Sequence, residues 1–175
     1  MGWVRLGQAV AANSSSKSVN VGTIDVRMFN HIIMNSGYES YQNNRASFRC
    51  GSGGSIDTGN HYSTRVTHNG AGDTQENDHD CLDSGYDGSE QMVIMDCCNR
   101  DVNDKLFIWK TVSCYARGTL AQYAPDWRFG SAKWTEDDSG SSPYNTASFD
   151  TVEYYADNRT AYEDAAIDIF GTGEF

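Results

Sequence analysis

The strongest constraint on this chain is a strict two-residue alternation in short runs, each closed by turn-forming residues. From Leu106 to Tyr115 it is unbroken: Leu106, Ile108, Lys110, Val112 and Cys114 alternate with Phe107, Trp109, Thr111, Ser113 and Tyr115. Side chains of a strand point to opposite faces in turn, so a period of two predicts a strand. The same pattern recurs over Met28–Asn35, closed by Ser36-Gly37, over Arg45–Cys50, and over Tyr62–His68, closed by Asn69-Gly70. It recurs again in Asp126–Lys133, Ser148–Tyr155 and Ala166–Phe170, the last closed by Gly171. Gln91–Cys98 is nearly continuous in apolar residues and reads as a central strand covered on both sides. Trp3–Val10 and Ser18–Val26 add two further candidates. No window carries apolar residues at i, i+3, i+4 and i+7 over three turns, so nothing supplies the crossover helices of a parallel sheet. The expectation is an all-β chain of about seven to nine short strands with little helix, forming an antiparallel, jelly-roll-like β-sandwich.

Composition narrows the partners. The 175 residues suit one domain with its own core, and the 12% aromatic content exceeds what an unfolded acidic chain carries. Thirteen Lys and Arg against 24 Asp and Glu leave a net charge of −11, which argues against nucleic acid as a partner. No stretch approaches the ~20 apolar residues of a membrane span, and Met1 to Leu6 holds no apolar run long enough for a signal peptide. The cysteines, Cys50, Cys81, Cys97, Cys98 and Cys114, are odd in number and form no Cys-x-x-Cys. They read as reduced, buried thiols of a protein made in a cytoplasm. Cys97 and Cys98 are expected on opposite faces of one strand.

Little in the sequence points to catalysis. The segment Asp73–Glu90 has seven carboxylates and no Lys or Arg. Asp78, Asp80, Asp83 and Asp87 are the weak candidates there for a calcium site, but the spacing fits no EF-hand, and a solvated acidic connector is the simpler reading. His31, His61, His68 and His79 show no metal-binding spacing, and no Gly-x-Ser-x-Gly elbow occurs. Gly51-Ser52-Gly53-Gly54 precedes no helix that could hold a phosphate. No cofactor and no catalytic residue is expected. Aromatic residues crowd the second half, and rings on a sandwich surface anchor protein interfaces or stack on sugars. Trp127, Trp134 and Tyr144 are therefore interaction candidates, with Trp3, Val4 and Leu6 on the first strand.

The succession Met28-Phe29-Asn30-His31-Ile32-Ile33-Met34-Asn35-Ser36-Gly37, Ala46-Ser47-Phe48-Arg49-Cys50-Gly51-Ser52-Gly53 and Tyr62-Ser63-Thr64-Arg65-Val66 is followed by an Asn-Gly turn. Later, Trp134 follows a strand with Arg128 and Lys133, and Ala166-Ile167-Asp168-Ile169-Phe170-Gly171 closes the chain. From about Gly22 onward this order of strands and turns resembles the small β-sandwich structural proteins of tailed phages. The resemblance implies a non-enzymatic virion component, made in the host cytoplasm. Its most specific form is a capsid decoration (cement) protein bound to the capsid exterior as an oligomer, a trimer at a symmetry axis being favoured. The implied partners are the major capsid protein or other virion proteins. A fibre-associated module that binds a receptor or carbohydrate is the alternative. In this frame residues 1–16 are an attachment strand and polar joint, with Trp3–Val10 adding to a neighbour's sheet, and residues 17–175 are one sandwich domain.

Overall fold

The computed structural model of the chain describes residues 2–11, 18–36, 46–68, 71–83, 89–100, 104–115, 126–135, 147–156 and 165–173. Among them are twelve strands and no helix. The strands are β1 (Val4–Val10), β2 (Ser18–Thr23), β3 (Phe29–Ser36), β4 (Ala46–Gly51), β5 (Tyr62–His68) and β6 (Ala71–His79). They continue with β7 (Leu82–Asp83), β8 (Ser89–Cys98), β9 (Lys105–Tyr115), β10 (Asp126–Trp134), β11 (Thr151–Ala156) and β12 (Ala166–Thr172). Eight form one sheet in the order β1-β12-β3-β8-β9-β10-β5-β6, and four form a second in the order β2-β11-β4-β7. Every pairing is antiparallel.

The two sheets face each other across one core. Ile32, Met34, Val93, Met95, Phe107, Trp109, Ile167 and Ile169 come from the large sheet; Val19, Phe48, Cys50, Val152 and Tyr154 come from the small one. Phe48 and Phe107 meet edge to face across the gap at 5.5 Å between ring centres, a favoured aromatic geometry. Phe149 stacks on the other side of Phe107. The chain is thus an all-β antiparallel sandwich, as its alternation dictates.

Three expectations need correction. There are more strands than seven to nine, because two lie inside the acidic stretch read as a connector: β6 pairs with β5, and the two-residue β7 pairs with β4. Asp73, Glu76 and Asp78 are residues of β6, the strand that ends the large sheet among the described residues. Second, β8 is central in its sheet but covered on one side only, since Gln91, Val93, Met95 and Cys97 are buried while Met92 and Asp96 are exposed. Third, Trp3–Val10 does not stand apart from the sandwich. Its strand β1 is hydrogen-bonded along β12 at the opposite end of the large sheet, with a bulge between Arg5 and Gly7.

The turn from β4 to β5 shows how local chemistry fixes the frame. Gly53 and Gly54 both adopt positive φ, 63° and 78°, a backbone region open to glycine. Asp57 then ties the returning chain down: Oδ2 accepts from Trp134 Nε1 at 2.6 Å and pairs with His61 Nδ1 at 2.7 Å, while Oδ1 accepts from the Gly59 amide. Tyr62 closes the turn from inside, its hydroxyl donating to the Cys50 carbonyl and accepting from the Cys50 amide, each at 2.9 Å. Burial pushes the Tyr62 phenol well above its usual pKa, so it stays a donor.

Candidate interaction surface

The outward sides of the two sheets differ sharply in chemistry. On the small sheet the side chains pointing away from the core include Ser47, Arg49, Thr151 and Glu153, which are polar and buried. Arg49, almost wholly buried, binds Asp80 through its side chain and backbone carbonyl, lies 3.6 Å from Glu153 Oε1, and covers the Tyr155 ring at 3.4 Å. Burial raises the Glu153 carboxyl pKa, opposed by Arg49 and by a hydrogen bond from Ser18. The Arg49 guanidinium is itself held above its ordinary pKa by Asp80, Tyr155, Cys81 and Glu153, against the desolvation that lowers it.

The outward side of the large sheet carries exposed apolar residues interspersed with Asn35, His31, Asp96, Lys110, Ser131 and Lys133. The register arranges it in rungs running across β3, β8, β9 and β10. The first is Asn35, Met92, Val112, Trp127; the second is Ile33, Ile94, Lys110, Phe129. The third is His31, Asp96, Ile108, Ser131; the fourth is Phe29, Cys98, Leu106, Lys133. Leu106 is 63% exposed, Ile108 54%, Phe129 53% and Trp127 49%. Four strands ~4.8 Å apart and about seven residues at ~3.4 Å give a band of roughly 19 by 24 Å, on the order of 450 Å². Ten of its sixteen positions are apolar, counting the Cys98 thiol, so the apolar part is on the order of 300 Å², the scale of the largest apolar patch on a folded monomer, which is often functional.

Packing on the inner side explains why these rings face outward. Inward from β9 point Phe107 and Trp109, and the facing position on β10 is Gly130, where a Cβ would lie 2.3 Å from Trp109 Cζ2. The Trp109 indole thus occupies the space above β10, which fills its inner side with Gly130, Ala132 and Trp134 and turns Trp127 and Phe129 to the outside. At the β3 end of the band, Trp3, Phe29, Asp96, Cys98, Leu106 and Ile108 border a depression of about 610 Å³. His31 Nδ1 pairs with Asp96 at 2.7 Å beside it, and the Trp3 ring stands 5.8 Å from the His31 ring.

Among the sequence candidates, Trp3, Val4 and Trp127 are exposed, and Leu6 is partly buried against the core. Trp3 and Trp127 join the band from opposite ends. Trp134 cannot serve an interface: it is fully buried and its indole N–H is taken by Asp57. Tyr144 lies outside the described residues, as does Asp87. Asp80 is committed to Arg49; Asp78 and Asp83 lie on β6 and β7, with side chains outside the described set. No cluster of three metal-binding side chains occurs among the described residues. The pairs Asp57–His61 and Asp96–His31 share the carboxylate–imidazole contact of a catalytic dyad, but no described hydroxyl or thiol hydrogen-bonds either ring. Cys97 is buried and Cys98 half-exposed, as opposite faces require, and no disulfide links the described cysteines. Sequence reasoning missed Leu106, Ile108, Met92 and Phe129 as surface residues, because an apolar strand position reads as core until its neighbours are known.

No protein-family model matches the chain, and no curated protein or solved structure matches it.

Proposed function

We propose that this protein is a non-enzymatic structural module that works by docking through the outer face of its large sheet, and that its setting is a virion, as a decoration protein on a tailed-phage capsid. The observation that carries the docking is the row of exposed apolar residues from Phe29 to Trp127 on the outward side of the large sheet, whereas the outward polar residues of the small sheet are buried. Leaving such a band in water is unfavourable by ~25 cal/mol per Å², so a covering partner is the economical state. Ten of the sixteen rung positions carry apolar or thiol side chains, an excess that favours a protein partner over a sugar, whose hydroxyls each need a donor or acceptor. The virion setting rests on the resemblance in strand and turn order, and an antiparallel sandwich suits it.

The test is quantitation of the chain in purified particles from lysates of producing cells. A fixed stoichiometric copy number, lost on Phe129→Asp with the fold intact, supports the reading; absence from particles overturns the virion setting. The carbohydrate alternative draws on Trp127 rather than Trp134, since only Trp127 is exposed. Specific binding on a glycan array, abolished by Trp127→Ala, would replace the docking proposal.

A further inference from the structure

We infer that the occupant of the apolar face is a second copy of this chain, forming a face-to-face pair about a two-fold axis; this rests on reading the band as a protein-docking surface.

Three observations point to a copy of the same surface. The first is size. With the flanking β12 and β5, whose outward positions include the polar Ser63, Arg65, Thr67, Asp168 and Thr172 and would form a rim, the face measures roughly 29 by 24 Å, about 700 Å² per copy, close to the ~800 Å² per partner of a standard interface. The second is shape. The exposed rings of Trp127 and Phe129 stand at one end of the band and the 610 Å³ depression beneath Trp3 lies at the other. An isologous interface needs one patch to carry both a projection and its receptor, so that each copy fills the other. On an untwisted grid of rungs and strands the two features are ~18 Å apart. A two-fold axis lying between the sheets and bisecting that separation passes near Ile108 and Lys110 at the centre of β9. Strands of the two copies then cross near a right angle, one of the two regular modes of sheet packing.

The third is charge. Asp96 and Lys110 occupy adjacent strands and adjacent rungs. The axis that seats the rings in the depression brings Asp96 of each copy, whose Oδ1 contacts His31 Nδ1 within its own chain, opposite Lys110 of the other, so Lys110 would join an existing Asp96–His31 pair. Lys133, the other lysine in the outward rungs, is already paired with Asp104 at 3.3 Å; Lys105 and Arg128 lie on the opposite side of their strands. The pair must form despite a charge of −11 on each copy, a long-range repulsion that salt screens. Association through an apolar face is therefore expected to tighten as salt rises.

Sedimentation equilibrium and light scattering of the full chain over a concentration series test the proposal, with Trp fluorescence as a second readout. The expected result is a monomer–dimer equilibrium that tightens between 0.05 and 0.5 M NaCl, with a blue shift of emission on association that Trp127→Phe reduces and Trp3→Phe with Trp127→Phe removes. Ile108→Asp and Phe129→Asp, each with an unchanged far-ultraviolet spectrum, should weaken the dimer at least ~100-fold, because a carboxylate would be buried opposite apolar groups. Asp96→Lys alone should weaken it, and Asp96→Lys with Lys110→Asp should recover it. A monomer at every concentration, a trimer, or a dimer indifferent to both aspartate variants overturns the inference. If the monomer nevertheless binds particles through Phe129, the docking surface stands and only its occupant changes.

Discussion

Replacing Gly130 by alanine sets two forces against each other. Judged by strand propensity the change should stabilise, since glycine within a strand costs roughly 0.5–1 kcal/mol relative to alanine. Packing predicts the reverse. The added Cβ would sit 2.3 Å from Trp109 Cζ2, 2.4 Å from Cε2 and 2.9 Å from the Arg65 carbonyl oxygen. Carbon atoms in contact rest at about 3.5–4.0 Å, so the two ring atoms must retreat by ~1 Å or more. The indole is 2% exposed in a close-packed interior, and the carbonyl belongs to the neighbouring strand β5, so neither has open space to move into. Overpacking of this kind costs about 1–3 kcal/mol and outweighs the propensity gain. For a chain of this size that lowers Tm by roughly 2–4 °C per kcal/mol, read by calorimetry at constant protein concentration. In a Trp109→Leu background, where the opposing ring atoms are gone, the penalty should shrink by ~1 kcal/mol or more. A Gly130→Ala variant as stable as the parent would refute the claim that the Trp109 ring dictates which side of β10 faces outward.

Other perturbations probe the frame around the face. Asp57→Ala removes the acceptor of the buried Trp134 indole N–H and should cost about 1–3 kcal/mol in urea unfolding. Asp57→Asn, which keeps one carbonyl acceptor, should fall between; a loss below ~0.5 kcal/mol for alanine would mean the indole finds another partner. Glu153 has its folded pKa raised, so the folded state holds its proton more tightly than the unfolded one and stability declines as pH rises through that folded value. Denaturation at pH 4 and pH 7 should therefore show the parent losing ground to Glu153→Gln at the higher pH; parallel behaviour would contradict the burial argument. In dilute native protein carrying Cys114→Ala, Ellman's reagent should find Cys98 accessible while Cys50, Cys81 and Cys97 stay protected until unfolding. Burial raises the Cys97 thiol well above its usual pKa, which removes the reactive thiolate. A rapid native phase that survives Cys98→Ala would show that the interior thiols are open.

The sequence by itself determined the strands, because a two-residue period is a property of the backbone: β3, β5, β9, β10 and β12 lie where alternation placed them. It missed β6, whose nine residues, AGDTQENDH, offer almost no apolar face; only the edge provided by β5 makes them a strand. Alternation also cannot say which side of a strand is inside when both qualify. On β9, Leu106, Ile108 and Val112 are as apolar as Phe107 and Trp109, and on β10 the larger rings of Trp127 and Phe129 would be assigned inward by hydrophobicity alone. The tertiary structure decided otherwise. The small sheet meets the large one on the side of Phe107, the Trp109 indole takes the room above Gly130, and the bulky side of β10 is left outside. Hydrophobicity ranks residues one at a time, whereas inside and outside are set by which faces of distant strands fit together without overlap.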